Sequence, residues 1–181
     1  MLTRKKKFIV IGILGIIIVA AAIVMILSFM KLRKGSYADV LKELPENCST
    51  AVIMTNAEHP VLLVSDGTYA YENWQASIYC QVYYLVNGKA QQVGEIISFG
   101  TAYPIAYDET GIYIGSGHGM GRYEVTEEGQ LVLAESVVEE IKTDGSVTYT
   151  RDLNGKLEEI TIAQWNEAIL NWKNAEIANF N

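Results

Sequence analysis

The run from Phe8 to Met30 constrains this chain more than any other stretch. Its 23 residues carry no charge, and Ser28 is the only side chain among them that can hydrogen-bond. As a helix it would extend roughly 34 Å at about 1.5 Å per residue, enough to cross a hydrocarbon core of about 30 Å. Lipid favours a helix because its backbone groups are satisfied internally. Arg4, Lys5, Lys6 and Lys7 flank the run on one side, and Lys31, Arg33 and Lys34 on the other. The positive-inside rule keeps the short leader cytoplasmic, and that leader has the form of an export-signal n-region. The sequence therefore predicts a single-pass protein, N-terminus in the cytoplasm and the remainder outside. Ala20, Ala21 and Ala22 are small enough for signal cleavage, but Ile23 to Leu27 continue the apolar run past them, and the first cysteine is Cys48. An uncleaved anchor is expected, with no small-xxx-small pair to drive dimerisation in the membrane.

The division that follows is residues 1–34 as basic tail, span and basic collar, 35–47 as a short helical connector, and 48–181 as a β-rich domain outside the membrane. All 21 acidic residues lie after position 34 with only seven of the 14 basic ones, so that part carries a net −14. Phosphate backbones are bound by Lys and Arg, so nucleic acid is excluded as a partner. The acidic surface suits a basic partner, or solubility alone. Cys48 and Cys80 could pair in an exported domain, yet Cys80 alternates with Ile78, Val82 and Tyr84 on an apolar strand face where a free thiol also packs. With no CxxC and no Cys/His cluster, neither a structural zinc nor any cofactor is expected.

Ser36 to Leu44 reads as the connector helix, with Tyr37, Val40, Leu41 and Leu44 as its stripe and Pro45 beyond its end. Strands are predicted at 51–55, 61–65, 68–71, 78–86, 91–97, 101–107, 112–114, 122–126, 131–138, 147–151 and 156–160. Asn87-Gly88 is a two-residue hairpin signal, and Asp144-Gly145 and Asn154-Gly155 mark further turns. A capping box of Thr161 and Gln164 opens a helix expected over 161–178, with Ile162, Trp165, Ile169 and Trp172 on a buried stripe. The fold class is mainly β: an antiparallel meander, as a blade-like sheet or a small barrel or sandwich, with a C-terminal helix packed on it.

Gly115 to Gly121 is expected to be a glycine-rich loop. It matches no dinucleotide fingerprint, since its third glycine is out of register and it opens a strand. Its glycines could present His118 and Arg122, with Tyr113 and Tyr123 nearby, to a ligand; the plain alternative is a flexible connection. His118 as base and Ser116 as nucleophile match no nucleophile elbow. Asp152-Leu-Asn-Gly begins like a calcium loop but has Ala163 where the closing Glu belongs. Nine of 11 tyrosines fall between Tyr69 and Tyr123; they pack across strands or form an exposed sugar-binding row.

Ser98-Phe-Gly-Thr-Ala-Tyr-Pro-Ile-Ala-Tyr-Asp108, Gly111-Ile-Tyr, Gly117-His-Gly, Arg122-Tyr and the closing Trp172-Lys to Ala178-Asn-Phe180 resemble membrane-anchored proteins of Gram-positive bacteria that have no assigned activity. The resemblance implies export and a β domain, and weighs against a Cys48–Cys80 disulfide. Two functions remain: a non-enzymatic module contacting an envelope protein or cell-wall polymer, favoured because no residue set has catalytic spacing, or an extracytoplasmic hydrolase centred on His118 with Arg122 and a carboxylate such as Asp108.

Overall fold

Thirteen strands and two helices build residues 37–181, the part described by this computed structural model. The apolar run at 8–30 and its basic flanks lie outside the described residues. Among the described ones no helix is long and apolar enough to cross a membrane. The fold is mainly β, every strand pair is antiparallel, and a helix stands near the C-terminus.

The strands divide between two main sheets and a ribbon. The smaller sheet joins β1 (Ser49–Ile53), β2 (Val61–Ser65), β5 (Tyr79–Val86) and β6 (Lys89–Ile97) in the order β1-β2-β5-β6. The larger holds β7 (Ala106–Asp108), β8 (Gly111–Ser116), β9 (Gly119–Val125), β10 (Leu131–Ile141), β11 (Val147–Leu153), β12 (Lys156–Ile160) and β13 (Glu176–Ile177) in the order β12-β11-β10-β9-β8-β7-β13. Between β2 and β5 a ribbon pairs β3 (Tyr69–Tyr71) with β4 (Trp74–Ala76), where the sequence predicts one strand and a loop. The segment expected to be extended over 101–107 forms a strand only at Ala106–Asp108; Pro104 precedes it, fully buried.

The turn between β5 and β6 follows from local chemistry. Asn87 and Gly88 both have positive φ, at 52° and 73°, and join Val86 to its partner Lys89. That is the backbone a two-residue type I′ turn demands, and Asn-Gly supplies it at little strain.

The core is layered. Ala51, Ile53, Leu63, Cys80, Val82 and Tyr84 of the smaller sheet meet Ile112, Ile114 and Val125 of the larger across a shared interior. On the outer face of the smaller sheet, Leu62 and Val64 pack with Tyr37, Val40 and Leu44. All five β2 residues are therefore buried, and Val61–Val64 shows no polar alternation because both faces are covered. The helix α1 (Ala38–Glu43) is thus docked on the sheet, with the Tyr37 hydroxyl donating to the Pro60 carbonyl at 2.6 Å. Ser36, expected to cap it, lies outside the described residues. Cys80 sits in the inner core and Cys48 packs on the outer cluster; both thiols are free, and burial pushes that of Cys80 well above its usual pKa.

The helix α2 (Ile162–Asn174) opens with the expected capping box: the Thr161 hydroxyl accepts from Gln164 N–H, and the Gln164 side chain accepts from Thr161 N–H at 2.9 Å. Trp165, Ile169 and Trp172 pack over Met120, Val137, Tyr149 and Ile160 on the far face of the larger sheet. Ile162, expected on that stripe, is exposed instead, because it stands in the first turn beyond the sheet contact. The helix also stops at Asn174, short of the predicted 178. Residues after it turn extended: β13 pairs with β7, Ala178 N–H donates to Ile105, and Asn181 exchanges backbone hydrogen bonds with Thr50. Ala178 and Phe180 alternate inward and are completely buried, so the tail stitches one sheet's edge to the other's. Period-two burial of these two residues outweighs the helical propensity of the stretch.

Candidate functional site

The glycine-rich stretch is a hairpin, not a loop. β8 runs through Gly115 and Ser116, Gly117 and His118 make the turn, and β9 begins at Gly119, opposite Ser116. None of Gly115, Gly117, Gly119 or Gly121 has positive φ, so left-handed freedom is not what the glycines provide. Three of them provide room. A Cβ on Gly119 would lie 2.2 Å from the Val137 carbonyl oxygen, on Gly115 it would lie 3.1 Å from Trp172 and Tyr103, and on Gly121 it would lie 3.2 Å from Ile114 and Leu133.

Strand alternation then separates the four candidate ligand residues. Arg122 and Tyr123 are consecutive in β9 and must point to opposite faces. Tyr123 packs against the inner core, facing the smaller sheet, whereas Tyr113 lies on the α2 side with its cross-strand partner Arg122. His118 stands in the turn at the sheet's end. Its Nδ1 lies 3.0 Å from the Glu139 carboxylate, whose other oxygen accepts from the Tyr149 hydroxyl at 3.4 Å. Glu139 thus orients the imidazole. Ser116 is no nucleophile here, since its hydroxyl accepts from His118 N–H at 3.2 Å and donates to the Gly119 carbonyl.

Asp108 does not approach His118. Its carboxylate accepts from the hydroxyls of Tyr113 at 3.0 Å and Thr110 at 2.7 Å, at the opposite end of β8. Arg122 is likewise committed. It pairs with Glu124, its Nε lies 3.6 Å from Glu135, and it donates to the Thr110 carbonyl at 3.0 Å. Glu135 continues to Arg151 at 4.0 Å, and Arg151 to Glu158 at 2.6 Å. Burial alone would pull the Arg122 pKa down, but the hydrogen bond and charge of Glu124, with the charge of Glu135, raise it overall. This is a cross-strand ion row spanning β9 to β12, with Asp108 and Tyr113 extending it over β7 and β8.

The concavity of this region opens on the other face. The larger sheet is wider than the sheet stacked on it, leaving part of its inner surface uncovered. A groove of about 440 Å³ lies there, lined by Phe99, Ile114, Gly121, Tyr123, Leu133 and Val138, with His118 and Ser136 as polar points on its border. Phe99 is 68% exposed, Val138 48% and Leu133 45%, a contiguous apolar surface rather than scattered side chains. Sequence reasoning passed over Phe99, Leu133 and Val138 as groove residues, because an apolar strand residue carries no mark of whether a second layer will cover it.

None of the eleven tyrosines is exposed, so an open row of rings is not formed; Tyr84 and Tyr113 are core residues. Among the described residues no group of three or more His, Cys, Asp or Glu side chains is placed to hold a metal. Comparison with family models, curated proteins and solved structures found no match.

Proposed function

We propose that this chain is a single-pass, membrane-tethered binding module, anchored by a transmembrane helix at 8–30 with its N-terminus cytoplasmic. Its acidic β domain stands outside, as in the Gram-positive anchored proteins the sequence resembles. The observation that carries the binding role is the apolar groove on the uncovered face of the larger sheet. Its volume lies in the usual range for ligand sites, and its lining is apolar with few polar points. A hydroxyl-rich polymer would leave its polar groups unpaired against Phe99, Leu133 and Val138, so the occupant is an apolar protein segment. The net −14 of residues 35–181 selects a segment flanked by basic residues.

The test is titration of the full chain in lipid nanodiscs with a labelled peptide alternating Leu and Lys. Saturable binding that falls with salt is expected, lost in Leu133→Asn and Val138→Asn and retained in Leu170→Asn, which alters an exposed apolar residue elsewhere. Equal binding by the groove variants, or by a peptide alternating Leu and Glu, would overturn it. Protease shaving of intact cells checks the topology: the domain is digested if it stands outside and protected if it does not.

One geometric feature supports the hydrolase reading, the Glu139–His118 hydrogen bond that would orient a general base. Ser116 and Asp108 are held by other partners, so neither completes it as nucleophile or second acid. His118→Ala is expected to abolish no ester hydrolysis above background; loss of a measurable esterase activity would favour the enzyme.

A further inference from the structure

A second concavity, sharing no residue with the groove, lies at the seam where the C-terminal tail crosses from the larger sheet to the smaller. It also measures about 440 Å³, but its character is different. Trp74, 37% exposed at the end of the β3–β4 ribbon, forms one wall. Tyr107 and Glu176, a cross-strand pair, form another, and Asn179 and Asn181 of the tail form a third. Burial, then the hydrogen bond and charge of Glu176, push the Tyr107 hydroxyl up to about 12, so it stays a neutral donor.

Backbone groups complete the lining. β1 is the edge strand of its sheet, and Thr50 exchanges hydrogen bonds with Asn181 across that edge, at 3.0 and 2.9 Å. Antiparallel alternation places the N–H and C=O of Val52 on the same edge, facing the seam. The Asn179 side-chain oxygen accepts from Gln75 N–H at 3.0 Å, leaving its amide nitrogen to donate.

We infer that this seam is a binding site for an uncharged pyranose glycan. A pyranose ring has a face of C–H groups and a rim of hydroxyls. The Trp74 indole matches the face, and the planar amide and carboxylate groups of Asn179, Asn181 and Glu176 match the rim as paired donors and acceptors. A polyanionic glycan is disfavoured by Glu176 and by the net −14 of residues 35–181. An added peptide strand is disfavoured because Asn181 already occupies the β1 edge at Thr50.

The experiment is isothermal titration of the full chain in lipid nanodiscs, which avoids sugar-headed detergent, with soluble β-linked oligomers of glucose and of N-acetylglucosamine. Saturable binding of at least one oligomer is expected. Trp74→Ala weakens it by about tenfold or more, and Trp74→Phe restores part of the loss. Asn179→Asp weakens it too: the carboxylate still accepts from Gln75 N–H, so the tail stays in place while the amide donor is gone. Leu133→Asn leaves glycan binding unchanged, which separates this site from the groove. Failure of both neutral oligomers to bind, equal binding by Trp74→Ala, or equal affinity for an oligogalacturonate overturns the assignment. So does an extended peptide that competes with the glycan and protects the Val52 amide from exchange.

Discussion

The two faces of the larger sheet are built from the same strands, yet they answer the problem of burial in opposite ways. On the α2 side every polar side chain of the row from Asp108 to Glu158 has a partner, and Trp165 and Trp172 cover the apolar remainder. On the inner side the covering layer is a narrower sheet, so Phe99, Leu133 and Val138 keep contact with solvent. The charges of that row are occupied with each other and have little to offer a ligand. The partly covered face retains unspent apolar surface, and there a partner gains most from binding.

The largest effects test which side truly holds the fold. Phe180→Ala empties a fully buried site between the sheets and should lower stability by about 3–5 kcal/mol, read as a marked drop in melting temperature. Trp165→Ala and Trp172→Ala, half-buried beneath α2, should each cost about 3 kcal/mol. If both tryptophan variants melt like the parent, the α2 face is an interaction surface and the contrast between faces collapses.

A smaller effect separates hairpin from loop. Gly119→Ala forces a methyl group against the Val137 carbonyl and should destabilise by about 1–3 kcal/mol. Gly117→Ala meets only the Tyr103 hydroxyl, at an ordinary 3.6 Å, and should change little. A flexible loop would tolerate both substitutions equally.

The ion row gives a pH-dependent signature. Arg122→Met leaves Glu124 and Glu135 without their shared cation and should cost about 1–3 kcal/mol at neutral pH. For Glu158, the hydrogen bond and charge of Arg151 hold its pKa below the usual value in the folded state. Its contribution is present above the ordinary glutamate range and is lost as pH falls through the lowered folded value. Melting of Arg151→Gln should therefore depend less on pH below about 4.5 than that of the parent, in the range where unperturbed glutamates titrate.

The smallest stability effect belongs to the groove. Leu133→Asn removes an apolar group already half in water and should shift stability by less than about 0.5 kcal/mol while abolishing peptide binding. A large loss of stability there would mean the groove is part of the core after all.

Local chemistry determined much of this protein. The Asn87-Gly88 hairpin, the Thr161–Gln164 capping box, the strand β5 and the Trp165/Trp172 stripe are all legible in the sequence, because each depends on residues a few positions apart. The mainly β fold with its antiparallel pairing and C-terminal helix followed from those signals. What the sequence could not set was which strand faces receive a second layer. His118, Arg122, Tyr113 and Tyr123 stand close together in the chain and read as one site; the hairpin sends Arg122 and Tyr113 to one face, Tyr123 to the other, and leaves His118 at the end with Glu139, 21 positions away. Ala178 reads as the end of a helix until Ile105, bonded to it, and Thr50, bonded to Asn181, supply the backbone partners that draw the tail out straight. The groove exists only because seven strands are stacked on four. That difference in width is set by long-range pairing, and no short window of residues records it.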